Sequence, residues 1–188
     1  MAHALAEKIT SFLLVNNLID PNKKDWCIYA FEIKICYLVI MPTLILIGSA
    51  RDSISCSICF WWSCIYIKKM AGGFHMSTEG QCFIASCMIT LFSEYVIIPL
   101  LTRMQDYAEI VTLIIVLAFN KKGSCPHPNM HLNEYELDFM SRKTISRALL
   151  CLLVYYILLI FNFNEEATYL ICGEVIAVSN SIIGHYLL

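Results

Sequence analysis

Six apolar segments, separated by short polar stretches, dominate the sequence. A membrane-spanning helix needs about 20 predominantly apolar residues, and the third segment meets that length clearly. The second and fourth segments are shorter, so tilted, re-entrant or protein-buried arrangements stay open for both. Trp61, Trp62 and Tyr66 are suited to anchor the second segment at an interface. The pattern predicts an all-α integral membrane protein with about six transmembrane helices, over residues 31–48, 54–67, 82–101, 107–119, 148–163 and 167–188.

A different pattern precedes the first of these segments. From Leu5 to Leu13, apolar residues recur at helical spacing opposite a polar face. This pattern is typical of an amphipathic helix that lies in the membrane interface. A short helix packed on the rest of the protein fits it equally well. We expect residues 1–25 to form this N-terminal segment of a single membrane domain that covers residues 1–188.

The composition supports a membrane environment. Hydrophobic residues make up 59% of the chain and charged residues 15%, whereas soluble domains carry about 25% charged residues. The lysines and arginines are few and dispersed, which argues against nucleic-acid binding. Most of the ten cysteines lie within apolar stretches, where a thiol behaves as a small hydrophobe. We therefore expect reduced cysteines rather than a disulfide framework.

The distribution of positive charge predicts the orientation. With a cytosolic N-terminus, six spans leave only Arg51 and Arg103 on the far side, so eleven of the 13 Lys and Arg residues are cytosolic. Cytoplasmic connections of membrane proteins are enriched in Lys and Arg. We therefore expect a multi-pass protein of the plasma membrane with both termini in the cytosol.

The cytosolic connection before the third span, residues 68–82, has features of a reactive site. Gly72–Gly73 permits backbone conformations that are closed to other residues. Thr78 and Gln81 form a capping-box arrangement, which predicts that the third helix begins just after Thr78. Cys82 then lies in the first helical turn, where unpaired backbone N–H groups and the helix dipole favour thiolate over thiol.

His75 is the matching candidate for a general base. Along one continuous helix, seven residues would separate His75 from Cys82 by about 10 Å. That distance is too long for a hydrogen bond, so a catalytic dyad requires a helix break between them. The imidazole would then take the thiol proton and later donate one to the leaving amine. The spacing alone favours the alternative, a structural cysteine and a solvated histidine.

The same residues resemble a family signature. The run Lys69-Met-Ala-Gly-Gly-Phe-His75, with Cys82 seven residues on and Ser86 beyond, is similar to that of the accessory gene regulator protein B (AgrB) family. These proteins are membrane peptidases of Gram-positive quorum sensing. The similarity extends to Tyr29-Ala-Phe-Glu32 at the start of the first span, and to the proline-bearing cytosolic loop of residues 120–147.

The resemblance implies a cysteine endopeptidase. Cys82 would attack a peptide bond of a small AgrD-type propeptide, release its C-terminal tail and retain the rest as a thioester. A cysteine or serine of the propeptide would then close a thiolactone or lactone, with His75 as general base and acid. The propeptide and the lipid bilayer are the implied partners. No cofactor is implied, and a homodimer is compatible with the resemblance.

Five charged residues are candidates for contacting the propeptide. Two basic pairs on cytosolic connections, Lys68–Lys69 and Arg142–Lys143, are placed to meet an acidic propeptide tail. Glu32 matches the family pattern and is expected on the active-site side. A third catalytic residue is not legible in the sequence, because the candidates are neighbours of the dyad along the chain and nothing more.

Two other functions stay open. A small membrane transporter would use Glu94, a carboxylate within the third span that is costly in lipid and should face the protein interior or water. A noncatalytic membrane scaffold is the other alternative. Cys56–Cys59 and the group Cys125, His127 and His131 are weak metal candidates, and we expect no metal site.

Overall fold

The computed structural model describes residues 2–73, 79–103, 107–125 and 133–187. These residues are almost entirely helical, which confirms the predicted all-α class for the described part of the chain. A 3₁₀ turn at Pro21–Lys23 precedes α2, and a π-helical turn at Ser93–Ile97 joins α4 to α5. The helices are α1 Ala2–Val15, α2 Lys24–Gly48, α3 Ile54–Ala71, α4 Glu79–Phe92, α5 Ile98–Arg103, α6 Ala108–Lys122, α7 Glu134–Ile160 and α8 Asn164–Leu187.

Four stretches are long and apolar enough to cross a membrane, and this supports insertion into a bilayer. They are Pro21–Gly48, Gly80–Arg103, Glu134–Ile160 and Asn164–Tyr186. Helix α6 has 15 residues and is therefore about 22 Å long, which is less than the hydrocarbon core of about 30 Å. The count of six spans, which also requires α3 and α6, stays a prediction.

The chain divides into two compact units, residues 1–44 and residues 45–188. In the first unit, Nδ1 of His3 lies 3.0 Å from Oε2 of Glu32. Ala6 and Thr10, one helical turn apart on α1, are fully buried, whereas Phe12 is 65% exposed. The N-terminal segment therefore contains a helix with one buried and one exposed face. Its position in the membrane interface stays a prediction.

Helix α8 is the central helix of the second unit. Of its candidate span, 67% is buried, against 28% for Gly80–Arg103. Helix α3 packs closely on it at Gly173, where a Cβ would collide with the carbonyl oxygen of Phe60 and with Oγ of Ser63. Ser63 Oγ donates a hydrogen bond of 2.8 Å to Leu170 O. Gly173 thus allows α3 and α8 to approach closely. The hydrogen bond of Ser63 fixes the register of the two helices, which apolar burial alone would not do.

The expectation that Trp61 anchors α3 at an interface is wrong, because Trp61 and Trp62 lie on different faces of this helix. Trp61 is buried, with 8% of its surface exposed, because it lies on the face that packs within the second unit. Trp62 is 44% exposed and stacks on Tyr66, with ring centroids 5.1 Å apart. Of the two tryptophans, only Trp62 is therefore placed to anchor this helix at an interface.

Several helix ends of the second unit meet in what we call the glycine end, defined by Gly72, Gly73 and Gly123. Gly72 and Cys125 form an isolated parallel β-bridge after α3 and α6. His185, near the end of α8, donates from Nε2 to Gly123 O over 3.1 Å. The glycine end therefore collects the C-terminal ends of α3, α6 and α8.

The start of α7 lies at the glycine end as well. The backbone N–H of Ser124 donates to Oγ of Ser141 over 2.9 Å. Helix α7 begins at Glu134, where Asn133 and Glu136 form a capping box. Much of the loop expected over residues 120–147 is thus helical, because α6 continues to Lys122 and the capping box starts α7 early. The prolines of this connection lie in 126–132, outside the described residues.

Candidate active site

Cys82 lies in the first turn of the described part of α4 and is half-buried. Ser86, Thr90 and Glu94 follow it at intervals of four residues, and the last two are buried. Side chains four residues apart lie on the same face of a helix. The opposite face is apolar and more than 60% exposed at Ile84, Met88 and Tyr95. Cys82 therefore lies on the face of α4 that leads to the interior of the second unit.

His75 lies outside the described residues, as does Thr78, the expected helix cap. The structure describes the chain up to Gly73 and again from Glu79, which is already helical. A helix that includes Glu79 agrees with the predicted start of the third apolar helix. The proposed pairing of His75 with Cys82 stays a prediction.

The segment that precedes His75 is held by several hydrogen bonds. The N–H of Gly73 donates to Cys125 O over 2.7 Å, and the N–H of Cys125 donates to Ala71 O over 2.8 Å. Ser181 Oγ donates to the same Ala71 O over 2.9 Å. Gly73 has φ of 130°, and a Cβ on it would collide with Oδ1 of Asn180. Both the backbone conformation and the close approach therefore require glycine here.

The sequence identified the glycine pair but not its partners on α8. The available signal was the polar run Ser179-Asn-Ser181 within an otherwise apolar last segment. Polar residues inside a membrane segment are expected to face other parts of the protein. The same rule predicts the interior position of Glu94. Applied to the last segment, it predicts that Asn180 and Ser181 face the protein interior.

Both predicted basic pairs belong to helices that pack together. Arg147 of α7 donates from Nη1 to Tyr66 O over 2.6 Å, and its guanidinium lies 4.6 Å from the centroid of the Tyr66 ring. This contact joins α7 to the last part of α3, which carries Lys68–Lys69. Arg142–Lys143 lies on α7 between Arg147 and the glycine end. The structure therefore brings the two pairs to the same end of the second unit.

These cations differ in their surroundings. Arg142 Nη2 lies 2.9 Å from Asp138 Oδ2, and both side chains are more than half exposed. Exposed ion pairs contribute little, so Asp138 competes only weakly with an incoming carboxylate. Lys143 lies over the Phe139 ring, 5.5 Å from its centroid. Lys69 is exposed, and Lys68 is half-buried.

Glu32, the fifth predicted substrate contact, lies in the first unit. Its carboxylate accepts a hydrogen bond from His3, and this bond raises the pKa of the His3 imidazole above its usual value. Glu32 therefore has a described partner within the N-terminal segment, and its contact with a propeptide stays a prediction.

A polar cluster surrounds Glu94, at the opposite end of the second unit from the glycine end. The Tyr169 hydroxyl lies 2.5 Å from Oε2 of Glu94 and also within hydrogen-bonding distance of Asp52. Arg51 donates from Nη1 to the backbone carbonyl of Glu94 over 2.6 Å. Glu94 is only 4% exposed, which confirms the expectation that it faces the protein interior. Because a hydroxyl has one proton, Tyr169 can donate a hydrogen bond to only one of the two carboxyl groups at a time.

All ten cysteines lie in described residues, and no disulfide links them. Burial raises the pKa of the Cys125 thiol. The described residues contain no group of three His, Cys, Asp or Glu side chains arranged to hold a metal ion. His127 and His131, the partners considered for Cys125, lie outside those residues.

A family model for accessory gene regulator B matches residues 6–183 of the 188-residue chain. The chain belongs to the AgrB family. This confirms the resemblance first suggested by the run that ends at His75. Together with the four apolar helices, membership identifies a membrane protein of quorum-sensing propeptide processing, with an AgrD propeptide as the implied substrate. No curated protein and no solved structure matches the chain.

Proposed function

We propose that this AgrB protein is a cysteine endopeptidase that removes the C-terminal tail of an AgrD-type propeptide and cyclises the remainder. Cys82 is the nucleophile, and His75 is the general base and acid. The observation that carries the proposal is the place of Cys82: half-buried, in the first described turn of α4, on the face that leads to the protein interior. The connection that contains His75 joins Cys82 to Gly73. Gly73 is held in place by a hydrogen bond to Cys125 O and by its contact with Asn180.

The first chemical step forms a thioester. The imidazole of His75 takes the thiol proton, and Sγ of Cys82 attacks the carbonyl carbon of the scissile peptide bond. The protonated imidazole then donates its proton to the leaving nitrogen, so that the tail departs with a free amino group. The propeptide remainder stays attached to Cys82 through its carbonyl carbon.

The second step closes the ring. A thiol or hydroxyl of the propeptide loses its proton to His75 and attacks the thioester carbonyl, and the Cys82 thiolate leaves and takes the proton back. Exchange of one thioester for another is nearly balanced, whereas thioester formation from an amide is uphill. Water must therefore be excluded, since hydrolysis would otherwise consume the intermediate. The apolar outer face of α4, exposed at Ile84 and Met88, suits contact with lipid rather than water.

The basic residues of the glycine end support capture of an acidic tail from the cytosol. Seven Lys and Arg residues belong to the helix portions that meet there, whereas Arg51 and Arg103 belong to the other end. The rule that positive residues stay inside supports a cytosolic position for the glycine end and for the dyad that we propose. The seven are Lys68, Lys69, Lys121, Lys122, Arg142, Lys143 and Arg147.

Single substitutions test the enzymatic proposal. Cys82→Ala and His75→Ala should each abolish cleavage of a co-expressed propeptide while membrane insertion is retained. Cys87→Ala is the matched control, because Cys87 is also a half-buried cysteine of α4. This variant should cleave at the wild-type rate. Cleavage by Cys82→Ala would show that the proposed nucleophile is wrong.

Charge neutralisation tests the capture step. Replacing both basic pairs, Lys68–Lys69 and Arg142–Lys143, by glutamine should raise the KM for the propeptide. The difference from wild type should shrink as salt is added, because salt screens exposed charges. Arg103→Gln, at the other end of the second unit, is the control. Equal KM values for the quadruple variant and the wild type would contradict this role.

A further inference from the structure

Helix α8 presents a polar pair to the segment that precedes the proposed active site. Ser181 is fully buried, and its hydroxyl donates to Ala71 O. Oδ1 of Asn180 is buried and accepts no hydrogen bond within the described part of the chain. The same oxygen lies where a Cβ of Gly73 would stand. Asn180 therefore contacts the residue that lies two positions before His75.

The other side of this segment is held by the backbone of Cys125. Gly73 N–H donates to Cys125 O, and Cys125 N–H donates to Ala71 O. Ala71 O thus accepts two hydrogen bonds, one from Cys125 and one from Ser181. We call these three residues, Cys125, Asn180 and Ser181, the glycine clamp.

The contacts of the glycine clamp are additional to those that end α3. Gly72, with φ of 71°, already closes α3 by donating its N–H to Lys68 O. A helix on a protein surface ends with a bond of this kind and solvent around it. Here two side chains of α8 and the backbone of Cys125 add contacts over Ala71–Gly73. These extra contacts fix the direction in which the chain leaves α3 towards His75.

We propose that Asn180 and Ser181 are positioning residues of the endopeptidase, and that they act by holding Ala71–Gly73 in place. The inference rests on the proposed function of Cys82 and His75 and extends it to the last helix. Both residues touch the protein's own chain, so they act on the rate of the chemical step and not on propeptide capture. Small displacements at a catalytic site lower turnover strongly, by about 100-fold for a shift of about 1 Å.

The test uses purified full-length protein in lipid vesicles, with propeptide cleavage as the assay. Ser181→Ala should lower kcat about tenfold, the order expected when a buried hydrogen bond is lost from such a site. Asn180→Ala should also lower kcat, because it removes the side chain that packs on Gly73. KM should stay within about twofold of wild type, because the basic pairs are untouched. Ser181→Thr keeps the hydroxyl and should recover most of the rate. Ser179→Ala, one residue away on α8, is the matched control and should behave as wild type.

Amide hydrogen exchange gives a second readout. The amides of Gly73 and Cys125 should exchange faster in Ser181→Ala than in Ser179→Ala, because the clamp is opened. Should Ser181→Ala not fold, Asn180→Gln carries the same test, since it keeps the amide group but displaces it. A wild-type kcat in the folded clamp variants overturns the inference, even if exchange is faster. Raised KM with unchanged kcat also overturns it, since α8 would then serve capture.

The two proposals fail in different ways. Cleavage by Cys82→Ala would overturn the proposed function itself. An inactive Cys82→Ala together with fully active Asn180→Ala and Ser181→Ala would overturn only the role of the clamp.

Discussion

The substitution Gly73→Ala perturbs the glycine clamp most directly. At φ of 130°, an L-residue adopts a conformation that costs about 1–3 kcal/mol. The new Cβ would also collide with Oδ1 of Asn180 and lie 3.2 Å from its backbone carbonyl carbon. The amide oxygen can rotate away, but the backbone of α8 cannot easily move. The strain is therefore at the upper end of this range unless the segment leaves the clamp.

Thermal unfolding in detergent measures this cost. For a chain of this size, each kcal/mol lowers Tm by about 2–4 °C, so a strain of about 3 kcal/mol in Gly73→Ala should lower Tm by about 6–12 °C. Gly80→Ala is the matched control, because a Cβ there meets nothing within 4 Å and α4 is helical at that position. Alanine is favoured over glycine in a helix by up to about 1 kcal/mol, so this variant should be as stable as wild type or slightly more so.

Local opening is another way to relieve the strain, and amide hydrogen exchange detects it. If Gly73→Ala relieves its strain by leaving the clamp, Tm falls less, but the amide of Cys125 loses its protection from hydrogen exchange. Wild-type Tm combined with wild-type protection would refute the reasoning. Such a result would mean that Gly73 has neither a positive φ nor a close contact with Asn180 in the protein.

Two further predictions concern groups outside the proposed active site. Tyr169→Phe removes the hydroxyl shared by Glu94 and Asp52, and because Glu94 stays buried the variant should unfold about 1–3 kcal/mol more easily in a denaturation series. The imidazole of His3 should titrate with a raised pKa by NMR, and Glu32→Gln should return this pKa towards its usual value. Because the His3 pKa is raised, the contribution of this pair to stability is present at low pH and is lost as the pH rises through that pKa.

The physical cost of polar groups in lipid made part of this structure predictable. The interior position of Glu94 follows from that cost and is confirmed. Its partner Tyr169 does not follow, because a tyrosine in an apolar helix fits a lipid interface or a core equally well. The two lie 75 residues apart in the sequence, and only the packing of the helices brings them together.

Faces of uniformly apolar helices were the least predictable feature. In α3, nearly every position is apolar or small, so no stripe distinguishes Trp61 from Trp62. The pair Gly72–Gly73 predicted an unusual backbone conformation at this position. The close contact that also requires glycine at position 73 comes from Asn180, more than 100 positions later in the chain. The early start of α7 depends on the capping box of Asn133 and Glu136, which lies within a run that looked like a polar connection.

Trapping the acyl-enzyme tests the central claim most directly. A propeptide whose ring-forming cysteine or serine is replaced by alanine can be cleaved but cannot cyclise, so the thioester on the enzyme should accumulate. Mass spectrometry should find the propeptide, minus its tail, attached to Cys82 through a bond that hydroxylamine breaks. The adduct should be absent from His75→Ala. An adduct on another cysteine such as Cys87, or tail release without any adduct on Cys82, would contradict the account.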